Sequence, residues 1–303
     1  MKILLKDIDS TIPNLALMKI SAYHKSIGDE VGFSVQDPDK MYVSVIYKKN
    51  RSRAIAQKFF YPETEYDIGG SGISLEKTLP PEIENQSPDY SIYPECDRYY
   101  GFSTRGCIRN CPFCIVPKKE GSLKLLYESP EDCLKSIMGD YIFDKIEFMD
   151  NNILACKDWF ISLCAALSKL KLKVDFNQGL DARLLDNDCA QALRQLKPIT
   201  VWKFAFDNRS YQSSVEKAIN ILNQNGINVR NKTMWYVYVD SDADFEDALY
   251  RCNWLKAHNT TPYVMLNLDT EHTKRMKDLK RWCRPWIFWK IDFEDYKKQT
   301  FIH

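Results

Sequence analysis

With 303 residues the chain can bury a full hydrophobic core, either as one barrel or as a small domain joined to one. Its 42 Lys and Arg are balanced by 41 Asp and Glu, so the net charge of +1 excludes a global field that would steer nucleic acid or an anionic membrane; RNA or DNA binding would have to rest on a local patch. No apolar run approaches the roughly 18 residues of a membrane span, and Asp7 and Asp9 interrupt the start where a secretory leader would stay apolar. A cytoplasmic protein without a membrane partner is therefore expected. Its ten Cys should stay reduced there, and clustered ones should bind metal.

In chain order, Ile3 to Leu5 reads as a strand, and Asn14 to Ser26 as a helix with Leu15, Leu17, Met18, Ile20, Ala22 and Tyr23 mostly on one side. Gly28 and a short strand near Val31 to Val35 complete a βαβ opening. Met41 to Tyr47 is β-branched and aromatic, Asn50 to Gln57 suits a short helix, and Lys58 to Tyr61 and Tyr66 to Ile68 read as strands ending at Gly69-Gly70-Ser71-Gly72. Residues 1–78 are thus expected to form a small Rossmann-like, flavodoxin-like α/β domain. The proline-rich and acidic stretch 79–97 reads as a linker.

Strands and helices alternate over residues 98–303. Strand candidates are Tyr99 to Ser103, Lys145 to Met149, Val174 to Asn177, Thr200 to Phe206, Thr233 to Val239 and Pro262 to Leu268. Ser129-Pro130-Glu131-Asp132 has the cap, the first-turn proline and the acidic residues of a helix start, and Gly226 closes a helix from Ser213 to Asn225. The alternation predicts a partial (β/α)6 barrel of the TIM type, with chemistry at the C-terminal ends of its strands and the front domain as a lid over them.

The sharpest signal is Gly106-Cys107-Ile108-Arg109-Asn110-Cys111-Pro112-Phe113-Cys114. This spacing lets a short loop present three thiolates to one cuboidal 4Fe-4S cluster and leaves a fourth iron open for chemistry. A zinc-stabilised nucleic-acid-binding or interaction module using the same cysteines is the alternative. It wants a fourth ligand, yet no His lies between His24 and His258, and Cys96 and Cys133 stand at no usual zinc-ribbon spacing. Cys164, Cys189 and Cys252 fall in helical patterns as small core residues, and Cys252 and Cys283 are read as isolated.

The CxxxCxxC loop, with an aromatic before its last Cys, after a first strand and before a series of βα units, resembles the radical S-adenosylmethionine superfamily. The resemblance covers about Tyr99 to Asp292. It implies that S-adenosylmethionine chelates the open iron and is cleaved reductively to a 5'-deoxyadenosyl radical, with electrons from a donor such as flavodoxin or ferredoxin. The substrate is left open as a small molecule, an RNA or a protein.

Ile146-Glu147-Phe148-Met149-Asp150-Asn151-Asn152 is similar to the second-strand end that meets the methionine amino group in this family, although the more usual Gly-Gly-Glu is missing. Asp175 to Arg183 is similar to the third-strand segment, where Gln178 and Arg183 would meet polar groups of the cofactor; an Arg fork suits a carboxylate. Asp207 and Asn267 stand at later strand ends, each with a second reading as a cap or loop former. The resemblance thus implies cofactor contacts by Asp150, Asn151, Asn152, Gln178, Arg183 and Asp207. The front segment looks like a shortened cobalamin-binding domain, but it lacks the Asp-x-His-x-x-Gly that supplies an axial His. Cobalamin is the less favoured cofactor. Methylthiotransferases share Cys114-Ile115-Val116-Pro117 but need three more Cys in front, and here none precedes Cys96.

Overall fold

The computed structural model describes residues 1–300, with side chains to residue 297, so the last three positions of the expected barrel lie outside the described residues. The chain is an α/β protein built on parallel sheets.

The first sheet holds β1 (Lys2–Asp7), β2 (Glu30–Gly32), β3 (Lys40–Ser44) and β4 (Glu65–Gly69), all parallel, in the order β2-β1-β3-β4. Its central strand is apolar on both faces because both faces are covered. Ile3 and Leu5 pack with Leu17 and Ile20 of α1 (Leu15–Ser26), while Leu4 packs with Met41, Val43 and Ala54 on the other side. Asn14 caps α1 by accepting from Leu17 N, and its own amide donates to Ser10 and Ser44.

The strand expected at Lys58 to Tyr61 is instead helical: α2 (Arg51–Ile55) runs on into α3 (Gln57–Phe60) through Ala56 in a right-handed helical conformation. The register explains the difference. β3 and β4 pair directly and in parallel, so the segment between them serves as the crossover, which parallel neighbours require and helices usually supply, and Phe59 and Phe60 stay 80% and 72% exposed. The expected strand from Met41 to Tyr47 also ends early, because the Asp9 carboxylate captures Ile46 N and Tyr47 N, together with the Asn50 amide, and turns the chain.

The stretch read as a linker is packed. It contains α4 (Pro81–Glu84) and a 3-10 turn at Tyr90–Ile92, and both Ile83 and Tyr90 are buried. Tyr90 accepts from Tyr100 N at 2.9 Å and reaches the Ile137 carbonyl at 3.0 Å. Asp89 gathers Ser21, Ser91, Tyr141 and the Lys25 ammonium, joining α1 to the second region. Proline here sets the path of a buried segment.

The second region opens with β5 (Tyr99–Gly101) and a two-stranded antiparallel ribbon, β6 (Thr104–Arg105) and β7 (Lys124–Leu125); α5 (Val116–Lys119) lies between the two ribbon strands. There follow α6 (Pro130–Met138), β8 (Lys145–Phe148), α7 (Lys157–Leu170), β9 (Lys173–Phe176), α8 (Asn187–Arg194) and β10 (Lys197–Pro198). Next come β11 (Trp202–Ala205), α9 (Gln212–Gln224), α10 (Val229–Lys232), β12 (Thr233–Val239), α11 (Phe245–Ala257), β13 (Thr261–Leu266) and α12 (Lys274–Trp282). Ser129 caps α6 and Pro130 opens it, as the sequence implies.

Strands β5, β8, β9 and β10 form one parallel sheet, and β11, β12 and β13 another. The two meet at a parallel bridge between Leu180 and Phe204, where Leu180 N donates to Lys203 O at 2.7 Å. One face of these strands, with Ile146, Phe148, Val174, Phe176, Phe204, Trp235 and Val237, packs beneath the helices in the main core. By the period-2 alternation of strands, the other face carries Tyr100, Glu147, Asp175, Lys203 and Tyr236. This polar face is closed to solvent. Glu147 and Asp175 are 5% and 4% exposed, Lys203 is paired with Asp175, and Arg98 is paired with Glu147.

Candidate functional site

The ribbon of β6 and β7 forms the neck of a loop holding Cys107, Cys111 and Cys114, all half-buried. Gly106 turns into the loop at φ 81°, where an added Cβ would stand 2.2 Å from Ser122 O, so neither the turn nor the close approach admits another residue. Cys107 N donates to Gly121 O and closes the neck, and Cys114 N donates to Cys111 O within the turn. Backbone amides point at two sulfurs: Arg109 N lies 3.3 Å from Cys107 Sγ and Val116 N lies 3.5 Å from Cys114 Sγ.

Burial pushes the Cys111 thiol up; Arg183 opposes this, and Cys114, Cys107 and Asp207 add to it. Cys114 is raised by burial first, then by Cys107 and Asp207, against the hydrogen bond from Val116. The Cys111 and Cys114 thiols thus resist ionising, and a bound cation would relieve that cost. Among the described residues, no group of three or more His, Cys, Asp or Glu is arranged to hold one metal ion.

The loop is held over the C-terminal ends of the strands at three places, by Asn152, by Asp181 and by Tyr238. Asn152, after β8, donates to Cys107 Sγ at 3.5 Å. Arg109 donates to Asp181, in the turn after β9, at 3.0 Å. Asp207, after β11, accepts from Tyr238 N, and burial holds its carboxyl above the usual range. The Phe113 ring stacks on Tyr238 of β12, which places a role on the aromatic before the last cysteine. From the other side, Lys119 of α5 donates to Ser71 Oγ at 2.7 Å, so the Gly69 to Gly72 loop of the first sheet abuts the cysteine loop.

The residues expected to meet a cofactor fall into distinct roles. Asp150 is buried, and its carboxylate accepts from the backbone and hydroxyl of both Ser103 and Thr104, which fixes the start of the ribbon. Asn151 accepts from Gly106 N at 2.9 Å and sets the neck. Asn152 reaches both Cys107 and Asp181, and its Oδ1 is buried without a hydrogen-bond partner. Gln178 is exposed at the turn after β9. Arg183 forks onto Asp181 at 2.7 and 3.0 Å, lies over the Tyr211 ring and faces Cys111. Asn267 donates to Asp240 and caps its own loop, matching its second reading.

Asp181 is the residue that sequence reasoning did not select. Burial would raise its carboxyl, but Arg183 and then Arg109 outweigh burial and hold it below the usual range. Nothing in the sequence separates it from an ordinary turn former; its partner Arg109 lies far along the chain in the cysteine loop.

The cysteines read as structural are buried, with one difference. Cys252 and Cys283, isolated in sequence, stand with their sulfurs 3.6 Å apart, because α11 and the end of α12 pack together. Two of the glycines of 69–72 have a packing reason: a Cβ on Gly70 would lie 2.2 Å from Val45 O, and one on Gly72 3.0 Å from the Tyr47 carbonyl. Among the described residues no helix is long and apolar enough to cross a membrane. No family model matches the chain, and no curated protein is significantly similar to it.

Proposed function

We propose that the chain is a radical S-adenosylmethionine enzyme, with residues 98–303 as a partial (β/α)6 barrel and residues 1–78 as a small Rossmann-like domain across the 79–97 segment. The observation that carries this reading is the three-cysteine loop laid over the C-terminal ends of parallel strands, with Asn152, Asp181, Arg183 and Asp207 around it. A 4Fe-4S cluster on Cys107, Cys111 and Cys114 fits the donors present: three thiols, two backbone amides aimed at their sulfurs, and the unpartnered Asn152 Oδ1 beside them. When bound, the cluster and S-adenosylmethionine supply one-electron cleavage of the sulfonium.

The chain's own part is binding and orientation. Arg183, steadied by Asp181 and Tyr211, offers the cofactor carboxylate a charged donor. Asn152 Oδ1 is free to accept from an ammonium. Asp150 and Asn151 hold the ribbon and neck in place. Phe113 on Tyr238 and the Ser71 loop limit water around the sulfurs. Cobalamin is left out of this reading because the front segment lacks the Asp-x-His-x-x-Gly motif and packing accounts for Gly70 and Gly72. Electrons would come from a flavodoxin or ferredoxin.

The test is anaerobic reconstitution, analysis of iron, sulfide and zinc, and an assay for 5'-deoxyadenosine with dithionite. About four irons per chain and deoxyadenosine formation are expected. Stoichiometric zinc with no deoxyadenosine would defeat the reading and favour the zinc module.

A further inference from the structure

We infer that the exposed face of residues 47–60 seats a single-stranded RNA beside the cysteine loop, which deepens the reading above by naming its substrate class. No Asp or Glu lies between Asp39 and Glu63. Within that interval Lys48, Lys49, Arg51, Arg53 and Lys58 are all exposed, and none forms an ion pair among the described residues. Asp9, at the edge of this face, accepts from Ile46 N, Tyr47 N and the Asn50 amide and forms no ion pair with these cations. In a chain of net charge +1 this is a local concentration of uncompensated positive charge.

Two phenyl rings stand among these cations. Phe59 and Phe60 are 80% and 72% exposed, next to one another on a short helix with nothing to cover them. Cations that follow a phosphate backbone, interleaved with rings that take unstacked bases, are the physical requirements for holding a single strand. RNA offers such bases in loops and ends, whereas a duplex hides them. An anionic membrane fits less well, since α2 and α3 have only 5 and 4 residues and present no long apolar face.

The patch is continuous with the site. Lys119 of the cysteine loop holds Ser71, whose neighbour Gly72 donates to Val45 O and lies against Tyr47, where the basic run begins. On the loop itself Ile108, Phe113 and Ile115 are exposed at 53%, 40% and 47%, and Lys118 is exposed beside them. The Tyr47 end of the patch thus lies against the turn that abuts the cysteine loop, while Phe59 and Phe60 stand toward the start of β4.

The experiment is fluorescence anisotropy of a labelled short single-stranded RNA with the reconstituted full chain, over a range of salt concentrations. A duplex of the same sequence, phosphatidylserine vesicles and a flavodoxin serve as competitors. The combined variant Lys48→Gln, Lys49→Gln, Arg51→Gln and Arg53→Gln should flatten the slope of log affinity against log salt by about 0.7 per charge removed. Phe59→Ala with Phe60→Ala should weaken binding roughly five- to a hundredfold while leaving the salt slope unchanged. Circular dichroism and deoxyadenosine formation should match the wild type in both variants, since these residues lie outside the cofactor site. Equal affinity of variants and wild type overturns the inference, as does preference for the duplex, or capture by vesicles or flavodoxin through the same residues without RNA binding. Deoxyadenosine formation with no RNA binding would overturn this inference alone, and RNA binding with no deoxyadenosine would overturn the enzymatic reading alone.

Discussion

Phe113 stacks on Tyr238 with ring centroids 4.2 Å apart and planes 20° from parallel, so the cysteine loop is clamped to a strand far along the chain. Such a stack contributes about 0.5–1.5 kcal/mol beyond its buried area. Phe113→Ala keeps all three cysteines, so iron should still be incorporated, but a chelator should remove it roughly two- to tenfold faster, followed by the visible absorbance. An unchanged release rate would mean that the stack does not hold the loop.

Changing Cys107, Cys111 or Cys114 singly to Ala should abolish both the iron charge-transfer absorbance and S-adenosylmethionine cleavage. One cluster of about four irons per chain is expected, because only one Cys group has a workable spacing. Full iron content and activity in any of the three variants, or two clusters in the wild type, would contradict the assignment.

Arg183 and Asp150 should separate in their effects. Arg183→Ala removes a partly exposed charged donor beside Cys111 and should weaken S-adenosylmethionine binding some ten- to hundredfold with iron retained. Asp150→Asn replaces a carboxylate whose partners are all within the fold, so it should cost about 1.5–3 kcal/mol of stability in urea titration. Calorimetry showing unchanged affinity in Arg183→Ala would remove that residue from the cofactor site.

Asp89 gives the chain an acid-side weakness. Burial would raise its carboxyl, but Lys25, Ser21, Ser91 and Tyr141 together hold it well below the ordinary carboxylate range. A depressed folded value means that the unfolded chain takes up the proton first. Its contribution is therefore complete above about pH 4 and is lost as pH falls below that toward the folded value. Asp89→Asn should be less stable at neutral pH and lose less of its stability on acidification. Parallel urea midpoints for variant and wild type from pH 7 to about pH 3 would count against this.

Cys252 and Cys283 should behave as core residues despite their contact. Burial and the neighbouring Cys252 hold the Cys283 thiol well above its usual range, and both cysteines are buried out of a reagent's reach, so both should resist alkylation in the native protein. Iron content should be unchanged in Cys252→Ala and Cys283→Ala. Loss of iron in either would place the pair at a cluster.

Local features of the fold are legible in the residues themselves. Asn14, Ser129-Pro130 and Gly226 mark helix ends because capping depends on one or two side chains and a backbone angle. Lys58 to Tyr61 has the aromatic content that suits a pleated surface, yet it lies in the crossover between the parallel pair β3 and β4, and that pairing is decided elsewhere in the chain. In the 79–97 segment the prolines are visible in the sequence, but the burial of Ile83 and Tyr90 is not.

For the site, three cysteines on one short loop are legible in the residues alone, since the spacing is covalent and survives any fold. So are the segments that end strands, which narrows the neighbours to a few polar residues. Only the tertiary structure decided what those neighbours do. Asp150 is consumed by Ser103 and Thr104, Asp181 joins Arg109 to Arg183, and Phe113 finds Tyr238, because partners distant in sequence meet only when the sheets close. The same holds for the basic face: the charge run is written in residues 48–58, but its exposure arises from packing.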